Sequence, residues 1–244
     1  MTREAERIMG LIRELLSNAG YVEGRRRFPR TLTPGDAVQI VGIIHGQVDV
    51  GCADRAKAAA ARKIRIACAE GCNYCCVQPV TVFRAEALRI AAWLRLPQNE
   101  AVRDAFVAAY PAWLAAAVDG FEPILDAAAR GDVAAQAQAH RRQQVRGVMC
   151  AFNREGRCTI YPVRPTTCRD HHATETNERC KVEMRSEREE DGAIGMHFKP
   201  LDDFIDQTRA LARSMHHALG GPRLRPDALC RAVWEALQNE SSTA

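Results

Sequence analysis

The chain has 244 residues, 47% apolar and 26% charged, with a net charge of +4. These are ordinary values for a globular protein of one large or two small domains, and they leave enough apolar residues for a core without staples. So mild a basic excess, with no recognisable recognition motif, makes no case for a nucleic-acid reader, and no such partner is expected.

The N-terminus, Met1-Thr-Arg-Glu-Ala-Glu-Arg7, is charged and lacks the apolar stretch and small-residue cleavage site of a signal peptide. No run reaches the roughly 18 continuous apolar residues of a membrane span, so no membrane partner is expected. The expected compartment is the cytoplasm, where thiols stay reduced, so metal ligation or thiol reactivity is preferred over disulfides for the ten cysteines.

Residues 3–19 carry a helical repeat through Ala5, Ile8, Met9, Ile12, Leu15, Leu16 and Ala19, with Gly20 as a stop. The basic run Gly24-Arg-Arg-Arg27 follows as a solvated linker. Thr33, Pro34 and Asp36 open a second helix with a cap, a first-turn proline and a reciprocal cap partner. Its apolar stripe is Ala37, Ile40, Val41, Ile44 and Val48, and the run Ala58 to Ala61 extends its propensity.

Val77 to Val82 contains a proline and reads as extended, a short edge strand. A helix over 84–96, with Leu88, Ala91, Ala92 and Arg95 one turn apart, ends at Pro97. Residues 99–118 present Val102, Ala105, Phe106, Ala109, Trp113, Ala116 and Ala117 on one face, with a kink at Pro111. Residues 122–146 are helical in two pieces broken at Gly131, and His140 to Arg146 forms a solvated polar end. Residues 147–200 lose this periodicity. Within them, 150–161 reads as a hairpin turning at Asn153-Arg-Glu-Gly-Arg157. The C-terminal part returns to helix, first with Leu201, Phe204, Ile205, Thr208, Leu211, Ala212 and Met215. After a break at Gly220-Gly221-Pro222, a last helix starts at Pro226 with Leu229, Cys230, Val233 and Leu237 inward. Cys230 is there a small core residue, Cys52 has no cluster nearby, and His216 and His217 call for no functional role.

Four cysteines fall within nine residues, Cys68, Cys72, Cys75 and Cys76, and four more follow at Cys150, Cys158, Cys168 and Cys180. Thiolates are soft ligands for Zn²⁺, Cu(I) and iron–sulfur clusters. Cys72-x-x-Cys75 is a two-ligand knuckle, with Cys68 one turn upstream and Gly71 giving freedom to bend. The side chains of Cys75 and Cys76 are adjacent and should diverge, so they serve different metals or one is a free thiol. Two four-sulfur centres, or one centre with spare thiols, are both arithmetically open. The later cysteines are singles separated by 7, 9 and 11 residues, unlike the paired ligands of structural zinc, while iron–sulfur ligation tolerates wider spacing. A metal would supply stabilisation that the 147–200 segment, poor in apolar residues, lacks.

Cys68-x3-Cys72-x2-Cys75-Cys76, followed by Cys150, Cys158-Thr-Ile-Tyr-Pro-Val-Arg164-Pro165-Thr-Thr-Cys168-Arg169 and Asn177-Glu-Arg-Cys180, resembles the YkgJ-like cysteine-cluster family. That family is described as a zinc- or iron-chelating domain, and the resemblance spans about residues 67–185. The Cys68–Cys72 gap is one residue longer than the family's compact form, and Phe83 stands where a capping threonine is expected. The resemblance implies that all eight cysteines belong to one metal site, holding an iron–sulfur cluster or zinc, and that Arg164, Pro165 and Arg169 are motif residues. The arginines can donate hydrogen bonds to thiolates or simply pair with an aspartate or a helix end. Pro165 should start a short helix carrying Cys168, Tyr161 should pack beside the site, and His171 and His172 are read as neighbours or solvent-facing.

The expected architecture is mainly α-helical, wrapped around an irregular cysteine-rich region with a short hairpin. Residues 1–66 form N-terminal helices, 67–185 the metal-binding domain and 186–244 C-terminal helices. The expected function is metal binding through eight thiolates, in redox, metal handling or contact with a protein partner. The alternative is an iron–sulfur-dependent enzyme. Some relatives implied by the resemblance are labelled oxidoreductases, and a similar branch includes flagellin lysine methylases. The chain itself shows no glycine-rich nucleotide loop and no defensible acid–base pair.

Overall fold

The computed structural model describes residues 3–19, 32–68, 71–174, 176–183, 211–212, 214–216, 218–219 and 226–239. The expected features at Gly20, at Gly24 to Arg27, at Leu201 to Thr208 and at Gly220 to Pro222 lie outside them. The described residues are mainly helical, and their only strands are two short antiparallel pairs.

Helix α1 (Arg3–Ala19) buries Ile8, Leu11 and Leu15. Leu11 therefore takes the inward place expected of Met9, which is exposed. Helix α2 (Pro34–Ala61) begins with a complete capping box: Asp36 N–H donates to Thr33 Oγ1, and Thr33 N–H donates to Asp36 Oδ2. Asp36 also pairs with Arg7, which fixes α1 across the start of α2. Its buried stripe holds all five expected apolar residues, Ala37, Ile40, Val41, Ile44 and Val48.

Strand β1 (Thr81–Val82) leads into α3 (Arg84–Leu94), whose N-cap residue Phe83 offers no side-chain cap. Arg95 follows α3, and it does not join the apolar face. Its guanidinium donates to Ala236 O and Leu237 O, near the end of the last helix. A 3-10 turn over Pro97–Asn99 feeds α4 (Glu100–Arg130), one continuous helix in which both Pro111 and Pro123 sit. The break expected between 118 and 122 is absent, because tertiary packing of Ala117, Phe121, Ile124 and Leu125 outweighs local propensity there. The break at Gly131 is present, and Asp132 caps α5 (Val133–Val145) by accepting from Ala135 N–H. By length and composition alone Pro97–Arg130 is apolar enough to cross a membrane. In this fold Phe106, Tyr110, Trp113, Ala117 and Phe121 are buried, and α4 packs on α5, α3 and the last helix.

The hairpin is β2 (Asn153–Arg154) against β3 (Arg157–Cys158), in register Asn153 with Cys158. Glu155 and Gly156 between them have φ of 51° and 81°. Two positive φ values are what a two-residue hairpin turn with the strands' own twist requires, and glycine supplies one without strain. After a 3-10 turn over Tyr161–Val163 come α6 (Thr166–Asp170) and α7 (Glu178–Glu183). Pro165 is the N-cap of α6, one place earlier than a first-turn proline. The last helix, α8 (Leu229–Asn239), does not start at Pro226. Strand β4 (Asp227–Ala228) intervenes and pairs antiparallel with β1.

Two apolar clusters result. One joins α1, α2 and Ala85 of α3 to Leu211 and Met215. The other joins α3, α4 and α8 to Phe152, Ile160 and Val163, so the cysteine-bearing hairpin is rooted in a helical core. Phe152 stacks on Phe106 with ring centroids 4.1 Å apart.

Burial, with Arg141 adding to it, lowers the His140 imidazole to about 4 from its ordinary 6.5. The folded chain thus refuses a proton that the unfolded chain accepts below pH 6.5. Stability should fall as pH drops from about 6.5 to about 4, by about 1–3 kcal/mol from this residue. In His140→Gln the difference in urea stability between pH 7 and pH 4.5 should shrink by that amount; an unchanged difference would show that His140 is not the group responsible.

Candidate metal centre

The first thiol segment is tied to the last by backbone hydrogen bonds. Ile66 bridges Thr174, Ala67 N–H donates to Ala173 O at 2.8 Å, and Ala173 N–H donates to the Cys68 sulfur at 3.1 Å. Gly71, at φ 88°, takes a left-handed turn closed to most side chains and sends the chain on to Cys72. Cys75 and Cys76 lie in the 3-10 turn Tyr74–Val77. The side chains of Cys75 and Cys76, adjacent in this turn, act on each other, Cys75 raised and Cys76 lowered.

The second segment is stapled to the first where Cys150 N–H donates to Cys76 O at 2.9 Å. The backbone N–H of Phe152 opposes the rise of the Cys150 thiol, and that of Ile160 the rise of Cys158. Asn153 Nδ2 donates to Cys76 sulfur at 3.4 Å, and Asn177 Nδ2 to Cys72 sulfur at 3.8 Å. Cys168 sits in α6, which Glu86 of α3 holds by accepting Thr166 N–H at 2.8 Å. Buried His45 of α2 meets the same Glu86 oxygen at 3.4 Å, so three helices fix the position of Cys168. Cys180 is buried in α7, and α7 packs on the turn that carries Cys75 and Cys76.

Thiols of the second segment and Cys76 of the first act on one another electrostatically. Cys168 is pushed up first by burial and then by Cys150, Cys158 and Cys76. Cys158 is pushed up to about 12 by burial and Cys150, against the opposing pull of Ile160 N–H and Arg164. Burial also raises Cys68, while Ala173 N–H and Arg164 oppose it. Cys75 rises beside Cys76 and by burial, and Cys76 falls to about 7 with help from Asn153. Sulfurs crowded in this way resist ionising one by one, and a cation among them reverses that preference. Among the described residues no three Cys, His, Asp or Glu side chains already stand in ligating geometry. The thiols are neighbours that a metal would still have to draw together.

The two arginines differ. Arg169 is 4% exposed and is spent on structure: Nη1 donates to Asp49 at 2.5 Å, Nε to Arg164 O and Nη2 to Pro162 O. This is the simple pairing allowed for it, and it anchors α6 on α2. Arg164 lies over the ring of Tyr161 at 3.6 Å and acts electrostatically on both Cys68 and Cys158. Its Nε and Nη1 are buried and have no hydrogen-bond partner. A buried cation with unmet donors is costly, and an anionic sulfur centre would meet them. The donor set and the orphaned guanidinium therefore fit a thiolate-bound metal.

His171 Nε2 faces Gln78 Nε2 at 3.4 Å. Cys52 points to the carbonyl of Arg169 at 3.8 Å. Cys230 is the buried core residue that its helical spacing indicated. It lies 3.9 Å from Cys150, sulfur to sulfur. No local motif could have signalled its contact with Cys150. Asn153 was read as a turn former, and its bond to Cys76 is likewise visible only in three dimensions.

The model of the family CxxCxxCC, described as "Putative zinc- or iron-chelating domain", matches residues 67–190. No curated protein and no solved structure matches the chain.

If Arg169 serves the fold and not the metal, Arg169→Met should destabilise the metal-free chain by about 2–4 kcal/mol, because Pro162 O and Arg164 O lose a charged donor. Asp49→Asn should cost under about 1 kcal/mol, since Asp49 is 52% exposed. Urea titrations of metal-free protein measure both, and equal small effects would contradict this assignment.

Proposed function

The chain belongs to the CxxCxxCC family of zinc- or iron-chelating domains, and from that premise we propose that it holds iron, as an iron–sulfur centre, through the thiolates of Cys68, Cys72, Cys75, Cys76, Cys150, Cys158, Cys168 and Cys180. The observation that carries the reading is the Arg164 guanidinium, whose Nε and Nη1 are buried without a hydrogen-bond partner and which acts on a thiol of each segment, Cys68 and Cys158. Iron–sulfur is taken over zinc because the later cysteines are widely spaced singles, whereas structural zinc draws close pairs. When bound, such a centre supplies one-electron chemistry. The residues of this chain would gather the sulfurs and offset negative charge with Arg164 and with N–H groups from Phe152, Ile160 and Ala173.

Protein made and purified without oxygen should be brown and contain iron and acid-labile sulfide. A colourless protein with stoichiometric zinc would keep the chelating role and remove the iron–sulfur one; protein that takes up neither metal would remove both. Metal removal should raise hydrogen exchange across 147–183 well before the helices of the core respond.

Arg164→Gln gives a pair of opposite signs. Metal affinity should fall about 10–100-fold, while the metal-free variant should be as stable as the parent or more so, because an unpaired buried charge is gone. Competition with a chelator and urea titration measure the two. Unchanged affinity together with lost stability would mean that Arg164 only braces the fold.

A further inference from the structure

We propose that Cys230 is a further metal ligand, sharing an ion with Cys150, so that α8 closes the centre from outside the family's matched residues. The inference rests on the thiolate-chelation reading above and extends it to a residue beyond 67–190.

The placement is built by the backbone. The segment running from Cys76 to Val82 makes two anchoring bonds. At its start Cys76 O accepts Cys150 N–H at 2.9 Å. Further along, Val80 O accepts Leu229 N–H at 2.9 Å, and Thr81 and Val82 pair with Ala228 and Asp227. One short stretch of chain thus positions both the residue that begins the second thiol segment and the first turn of α8. Arg231 braces that turn from the other side, bonding Asp227 at 2.8 Å and Glu122 of α4 at 2.6 Å. The outcome is a Cys150–Cys230 sulfur separation of 3.9 Å, with Cys230 2% exposed.

That separation suits a shared ion. Two sulfurs, each about 2.3 Å from one tetrahedral metal, stand roughly 3.8 Å apart. Little movement would be needed for both to ligate, each giving up its thiol proton to solvent as the bond forms. Cys230 is the second residue of an 11-residue helix, at the positive end of the helix dipole, where an anionic sulfur is favoured.

The full chain, isolated without oxygen with the metal it acquires, is compared with Cys230→Ala and Cys230→Ser for metal per chain and for metal transfer to a competing chelator. Cys52→Ala, on α2 and outside the thiol set, is the control. The inference predicts that both Cys230 variants bind metal about 100-fold more weakly or lose a metal equivalent, since a ligand is removed and not merely its outer partner, while Cys52→Ala matches the parent. Cys230→Ala with parental metal content and affinity would overturn it and leave the eight-thiolate reading standing. A parent chain that takes up no metal would bring down both. Should the variants fail to fold, ¹¹³Cd-loaded parent protein decides: the β-protons of Cys230 and Cys150 are expected to couple to the same ¹¹³Cd resonance, and absence of that coupling for Cys230 overturns the inference.

Discussion

The structure depends on a few backbone hydrogen bonds between segments far apart in the chain. Cys150 N–H to Cys76 O joins the two cysteine segments, and Ala67 N–H to Ala173 O joins their outer ends. Neither segment has the apolar residues to fold alone. Each is held because its neighbours are rooted in helices: Phe152, Ile160 and Val163 enter the core of α3, α4 and α8, and α6 hangs on Glu86 of α3 and Asp49 of α2. The helical scaffold thus does the positioning, and the irregular chain carries the chemistry, the division expected when functional residues sit on loops fixed by a rigid frame.

Crowding of sulfurs sets the electrostatics. Burial and mutual proximity push most of the thiols up, and the countervailing groups are all donors: backbone N–H at Cys68, Cys150 and Cys158, the Asn153 amide at Cys76, and Arg164 between Cys68 and Cys158. Donors aimed at sulfur serve little purpose for neutral thiols and much for thiolates. These donors favour thiolates, the charge state that a bound cation would stabilise.

Much of this was legible in the sequence where the signal was local. The capping box at Thr33 and Asp36, the hairpin around Glu155-Gly156 and the stop at Gly131 each follow from the chemistry of a few adjacent residues. The cysteine motif pointed to the family in the same local way. What stayed hidden was set by contacts between distant elements. β4 could not be read from Asp227-Ala228, because its partner is Thr81-Val82. The continuity of α4 through Gly120 is decided by packing, against local propensity. Arg164 and Arg169 looked alike in the motif, and only their surroundings separate a structural ion pair from a guanidinium with two unmet donors. Cys230 carried the pattern of a core residue, and its nearness to Cys150 arises from the strand pairing that precedes it.

The central claim is that one metal centre gathers sulfurs from both cysteine segments. X-ray absorption at the metal edge of protein isolated without oxygen tests it most directly. The account predicts a first shell made of sulfur alone, and one that loses sulfur in Cys75→Ser and in Cys168→Ser alike. A shell of nitrogen and oxygen, or one that responds to substitution in only one of the two segments, would contradict it.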